Sequence, residues 1–220
     1  MRDSLVGVTL LAFLVGIGCG SEPPSGRGTF PPGYWVSLLD AKAFDGWRVL
    51  STGEFGSAGE VHFVEDSLVL EMGNPMTGIS ITAEDFPGED YEVRLEAKRV
   101  EGGDFFCGMT FAVGSSHCTL IVGGWGGDVV GLSNVDDFSA NENMTRTDWP
   151  FEEGRWYELH LRVTRRIEVW IDGEQIVDLD RLGRAFSVWA EQEPARPFGI
   201  ATYFTKAAIR NLQVRRLIEM

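Results

Sequence analysis

From Val61 to Leu217 the chain is a succession of short alternating or apolar runs cut by Gly, Asp and Asn, with no helical period long enough to build a helix layer. Such punctuation restricts the fold, because strands that are apolar on one face must bury it against a second sheet or close into a barrel. The 27 glycines, seven tryptophans and 14 phenylalanines fit a turn-rich β protein rather than a helical or disordered one. With 220 residues, 44% of them hydrophobic, the expectation is one all-β domain, an antiparallel β-sandwich of jelly-roll type.

The pattern is clearest in Tyr91-Glu92-Val93-Arg94-Leu95-Glu96-Ala97-Lys98, where the apolar positions face the core and the charged ones face out. Val61–Val64 and Ser67–Met72 read as a hairpin over Glu65-Asp66, and Gly78–Ala83 as a further strand. Phe105, Cys107, Met109, Phe111 and Val113 form a greasy face, while Phe106, Gly108, Thr110 and Ala112 form a small-residue face that can floor a groove. Cys118, Leu120 and Val122 continue the core, with Thr119, Ile121 and Gly123 on the floor and Trp125 on the same outer side. Trp156–Val163 and Ile167–Val177 are the most regular unit, and Asp172-Gly173 is a tight-turn dipeptide. Phe198–Phe204 and Ala208–Leu217 would return beside the first strands, making the domain's ends neighbours.

Ahead of this region, Arg2, the apolar run Leu5–Ile17 and Gly16-Ile17-Gly18-Cys19 read as an export signal over residues 1–19, too short for a mature membrane span. The ending resembles a bacterial lipobox, which implies lipidation of Cys19 and a protein tied to a bacterial membrane only by that anchor; plain cleavage into the periplasm or medium is the alternative. Residues 20–33, rich in Gly, Pro and Ser, read as a flexible tether, and residues 34–220 as the domain. An excess of 33 acidic over 19 basic residues, net −14, argues against nucleic acid as a partner. Cys107 and Cys118 are expected as two buried thiols, because a hairpin that puts Cys118 opposite Val113 holds them beyond bonding range.

The strand opening on Trp156 and the run Val169-Trp170-Ile171-Asp172-Gly173 resemble the laminin-G and concanavalin A-like sandwich pattern. Phe44-Asp45-Gly46-Trp47, Tyr91-Glu92-Val93-Arg94-Leu95-Glu96 and Ile209-Arg210-Asn211-Leu212 together resemble the 3-keto-disaccharide hydrolase domain family over roughly Val36 to Leu217. The resemblance implies a surface or secreted protein with sugar chemistry or sugar binding on its concave sheet. It supplies no catalytic residue, since Phe106-Cys107-Gly108 stands where the family's enzymes usually show Asn-Ser-Gly.

The residues themselves offer several candidates. Gly123-Gly124-Trp125-Gly126-Gly127 leaves an accessible indole suited to stacking on a sugar, with Thr110, Thr119 and Arg94 as further ligand-binding candidates; a bulge with a packed Trp is the other reading. Trp170, Trp189 and Tyr203 are weaker stacking candidates. Glu96 and His160, both facing away from the core, are the acid–base candidates, against a plain solvated strand face. Glu92 and Glu96 lie about 13 Å apart along one strand, too far for a retaining pair, so a second carboxylate would come from another strand, with Asp104 or Glu168 available. Asp136, Asp137 and Asn141 concentrate oxygen donors of the kind Ca²⁺ takes, although the loop lacks EF-hand spacing, which favours a solvated acidic loop over a calcium site. Three functions are therefore expected in competition: an enzyme acting on keto-glycosides, as the family resemblance implies, a non-catalytic carbohydrate-binding module, and an interaction domain of a surface assembly.

Overall fold

The computed structural model describes residues 30–40 and 44–218. The export signal, Cys19 and most of the tether fall outside the described residues. Among the described residues no helix is long and apolar enough to cross a membrane.

The described residues form sixteen strands: β1 (Val36–Ser37), β2 (Trp47–Leu50), β3 (Gly56–Ser57), β4 (Val61–Val64), β5 (Ser67–Leu70), β6 (Asn74–Ile81), β7 (Tyr91–Gly102) and β8 (Cys107–Val113). Then come β9 (Ser116–Gly124), β10 (Val129–Ser133), β11 (Thr147–Asp148), β12 (Tyr157–Val163), β13 (Arg166–Ile171), β14 (Glu174–Asp180), a 3₁₀ turn at Ala190–Ala195, β15 (Gly199–Tyr203) and β16 (Thr205–Arg216). They build two antiparallel sheets, β14-β13-β12-β7-β16-β5-β4 with β1 on β16, and β11-β10-β9-β8-β15-β6-β2 with β3 on β6. The expected all-β sandwich is the observed fold.

Alternation explains the core. Tyr91, Val93, Leu95 and Ala97 of β7 and Leu159, Leu161 and Val163 of β12 meet Cys107, Met109, Phe111, Leu120 and Val122 of the second sheet in one buried cluster. Burying each large aliphatic or aromatic side chain contributes about 1.5–3 kcal/mol, and this inner layer is the main source of stability. A second, smaller cluster of Leu50, Phe55, Met76, Phe105, Ile121, Ala140, Ala195 and Ala201 packs separately from it. The 3₁₀ turn contributes Ala195 to that cluster, and its Gln192 at Thr110 together with Phe105 at Gly108 covers the outer face of β8, which is buried along its whole length.

Three details differ from the sequence expectation. Cys118 pairs with Phe111, not Val113, because Gly114 (φ +63°) and Ser115 form a two-residue turn and Val113 pairs with Ser116. Both cysteines remain free and buried, and burial pushes each thiol up to about 12. Phe105 and Phe106 exchange faces: the ladder of β8 starts at Cys107, so Phe106 joins the main core and Phe105 the outer cluster. Finally, Phe30 is buried with its ring 5.5 Å from Phe86, and Pro32 bridges to Arg216, so the described end of the tether lies on the domain.

Candidate functional site

The outer face of the second sheet carries a cleft of about 400 Å³. Its floor is Met76, Phe105 and Ile121, members of the outer cluster. Trp125 and Trp189 line it with 45% and 50% of their surface exposed, together with Tyr203, whose ring lies 5.5 Å from that of Phe105. The polar lining is Asp104, Ser133, Glu191 and Gln192.

Each group has a local cause. Trp125 sits in the left-handed region (φ +48°) between β9 and β10, which turns its backbone out of the sheet and leaves the indole in the open. Trp189 precedes the 3₁₀ turn; its indole N–H donates to Ser133 Oγ at 3.1 Å and its carbonyl accepts from the Gln192 N–H at 2.8 Å. Asp104 lies between β7 and β8. Burial raises its carboxyl above the ordinary Asp value, opposed by N–H donors from the Phe105 and Trp125 backbones and by the nearby Arg99 charge. The Phe105 N–H reaches Asp104 Oδ1 at 2.8 Å.

Thr110 and Thr119 lie beneath the cleft rather than in it. Both are fully buried, their hydroxyls 3.0 Å apart, and Gln192 Oε1 covers Thr110 at 3.4 Å. Arg94, Glu96 and His160 stand on the outer face of the other sheet, with His160 opposite Arg94 across the β7–β12 ladder. The structure therefore does not bring them together with Trp125. Alternation along a strand decides inward against outward, and a sandwich has two outward faces.

On that second face the three residues are held by neighbours. Glu96 accepts from Arg210 at 2.7 and 3.0 Å and from Asn211 at 2.6 Å; these donors outweigh burial and hold its carboxyl below the ordinary range. His160 stacks on Trp170, ring centres 4.7 Å apart, with Nε2 3.6 Å from Glu92. The Arg94 guanidinium lies 4.8 Å over Trp35. Glu168, the other carboxylate available as a partner, accepts from Gln175 at 3.3 Å on the same sheet.

Part of the acidic loop is held by partners elsewhere in the chain. Asp136 accepts from Arg184 at 2.6 Å and from the Ala185 N–H at 2.9 Å, the Asn141 carbonyl accepts from Arg146 at 3.4 Å, and Asp137 is exposed. Among the described residues no group of three or more His, Cys, Asp or Glu side chains is placed to hold a metal ion.

Trp189 and Tyr203, weak candidates in the sequence, thus join Trp125. Nothing in the sequence marks Glu191 and Gln192, since Ala190–Ala195 carries no motif and reaches the cleft only because the turn folds back on the small-residue face.

A family model described as the 3-keto-alpha-glucoside-1,2-lyase-like domain matches residues 34–215. No curated protein matches the chain in sequence. Among solved structures, a protein of unknown function with a galectin-like fold from Bacillus subtilis aligns with TM-score 0.60 at 13% identity, covering 88% of this chain and 100% of that one. Carbohydrate binding module CBM66 from Bacillus subtilis aligns with TM-score 0.52 at 13% identity, over 77% and 95% of the two chains. Domain 4 of AbnA, a GH43 extracellular arabinanase from Geobacillus stearothermophilus solved with arabinotriose, aligns with TM-score 0.52 at 16% identity, over 77% and 82%. At these identities the likeness is one of fold.

Proposed function

Given that the chain belongs to the 3-keto-alpha-glucoside-1,2-lyase-like domain family through residues 34–215, we propose that the cleft between Trp125 and Trp189 holds a sugar, and that the sugar is a 3-keto-glycoside. The observation that carries the reading is the pairing of two half-exposed indoles with an apolar floor and four polar groups. A pyranose has the matching anatomy: its C–H faces stack on aromatic rings while its hydroxyls reach acceptors at the edge. Among the described residues the cleft lining includes two carboxylates and no cation, which favours a neutral sugar over a uronate or sulfated one. The carbohydrate-binding neighbours in fold support the same reading by analogy.

In a 3-keto-glycoside the C3 carbonyl acidifies the hydrogen on C2. Removal of that proton by a base forms the enolate, whose electrons then make the C1–C2 double bond as the glycosidic oxygen leaves with its bonding pair and takes a proton from solvent or a cleft acid. Asp104 is the carboxylate suited to accept the C2 proton, because partial burial makes it more basic than an ordinary surface Asp. A non-catalytic module is the second reading, favoured by the two backbone N–H groups that already occupy Asp104.

Calorimetric titration with methyl 3-keto-α-glucoside, followed for turnover, separates these. Trp125→Ala should weaken binding about tenfold or more. Asp104→Asn should bind and not turn over. Wild-type affinity in Trp125→Ala would remove the site, while binding without turnover in the wild type would leave the module. The same proposal places the domain outside the cytoplasm on a lipid at Cys19, a placement supported by the sequence pattern of residues 1–19.

A further inference from the structure

Arg99 breaks the pattern of its own strand. Along β7 the inward positions are Tyr91, Val93, Leu95 and Ala97, and the next inward position is an arginine that is 7% exposed. Its guanidinium reaches from the first sheet to the second and finds backbone carbonyls: Nη2 donates to Gly127 O at 2.6 Å, Gly123 O at 3.2 Å and Asp104 O at 3.4 Å. Phe106 lies against it at 5.2 Å, and Nε is buried with no partner among the described residues. Burying a cation on carbonyl dipoles carries a desolvation penalty that an apolar side chain at the same place would avoid.

The three carbonyls belong to two parts of the cleft. Gly123 and Gly127 bracket the segment that presents Trp125, and Asp104 is the carboxylate lining it. The glycines now acquire a second reason: a Cβ on Gly123 would stand 2.6 Å from Arg99 Nη2, and one on Gly127 3.2 Å from Nη1. The glycine-rich string makes room for the guanidinium as much as it exposes the indole.

We propose that Arg99 is the positioning residue of the cleft, a bolt between the two sheets that fixes the Trp125 segment and Asp104 at the spacing a sugar ring requires. The proposal rests on the sugar-binding reading of the cleft. Without the cation the carbonyls lose their common donor and the segment 123–127 opens locally, so the indole and the carboxylate no longer meet the ligand together.

The test uses Arg99→Met, which removes the charge at similar length, and Arg99→Lys, which keeps the charge and loses the planar fork. Three readouts are taken: thermal unfolding, amide hydrogen exchange over residues 123–127, and affinity for methyl 3-keto-α-glucoside. Both variants should unfold within a few degrees of wild type, exchange faster over 123–127, and bind about tenfold more weakly. In a third variant, Arg99→Ala, which leaves room for the missing group, methylguanidine at millimolar concentration should restore affinity and add nothing to wild type, an outcome that a general loss of stability would not produce. If Arg99→Met does not fold, Arg99→Lys decides by the same exchange and affinity measurements. Wild-type exchange and affinity in the folded variant would overturn the proposal. If wild type itself binds no sugar, the cleft reading fails first, and unchanged exchange would then overturn the Arg99 assignment by itself.

Discussion

At the scale of single residues, Glu92 shows how this domain tolerates charge. It sits on an outward position of β7 yet is 1% exposed, accepting from Arg162 Nε at 2.7 Å and from Arg215, with His160 Nε2 at 3.6 Å. Burial would raise its carboxyl, but these partners outweigh it and hold the group well below the ordinary range. A carboxyl depressed on folding stabilises above its unfolded value, about 4.3, and loses that contribution as pH falls through the folded value. Glu92→Gln should therefore cost about 1–2 kcal/mol near neutral pH, discounted because both arginines are about one-third exposed. Urea unfolding at pH 7 and pH 3 checks this: the gap between variant and wild type narrows at the lower pH, and an unchanged gap would refute the assignment. In the sequence Glu92 was simply one of four outward charges, because nothing local records that Arg162 and Arg215 converge on it from strands 70 and 123 residues away.

Elements were legible where their signals were local. The β13–β14 hairpin follows from Asp172-Gly173, both left-handed at φ +48° and +81°, as a two-residue turn between right-twisted strands requires. Gly173→Ala meets no atom within 4 Å, so its cost is purely conformational, about 1 kcal/mol; chemical denaturation should show that loss, and none would mean the turn tolerates the strain. The β8–β9 register was less legible, because Gly114-Ser115-Ser116-His117 accommodates two turn lengths and only cross-strand packing selects the shorter. The site divided the same way. Gly-flanked Trp125 announced itself, whereas Glu96 and His160 looked equivalent to it, since alternation does not say which of two sheets an outward residue decorates.

Over the whole molecule the two outer faces have different characters. The first sheet's face is laced with cation–aromatic contacts, Arg94 and Arg215 on Trp35, Lys98 and Arg210 on Trp156, and Arg162 on Trp170. Such contacts contribute about 0.5–1 kcal/mol each when exposed and cover these indoles with charged groups. The second sheet keeps its aromatics open at the cleft. The anchoring expectation belongs to this scale as well: Cys19→Ser should shift the protein from the membrane to the soluble fraction of its host, and retention on the membrane would exclude a lipid at that position. The pairing of β1 with β16 gathers both ends of the described chain on the first sheet, where Pro32 meets Arg216. The described ends therefore meet on one sheet while the cleft opens on the outer face of the other, so the pairing that joins the ends and the surface that faces a ligand are built from different layers of the sandwich.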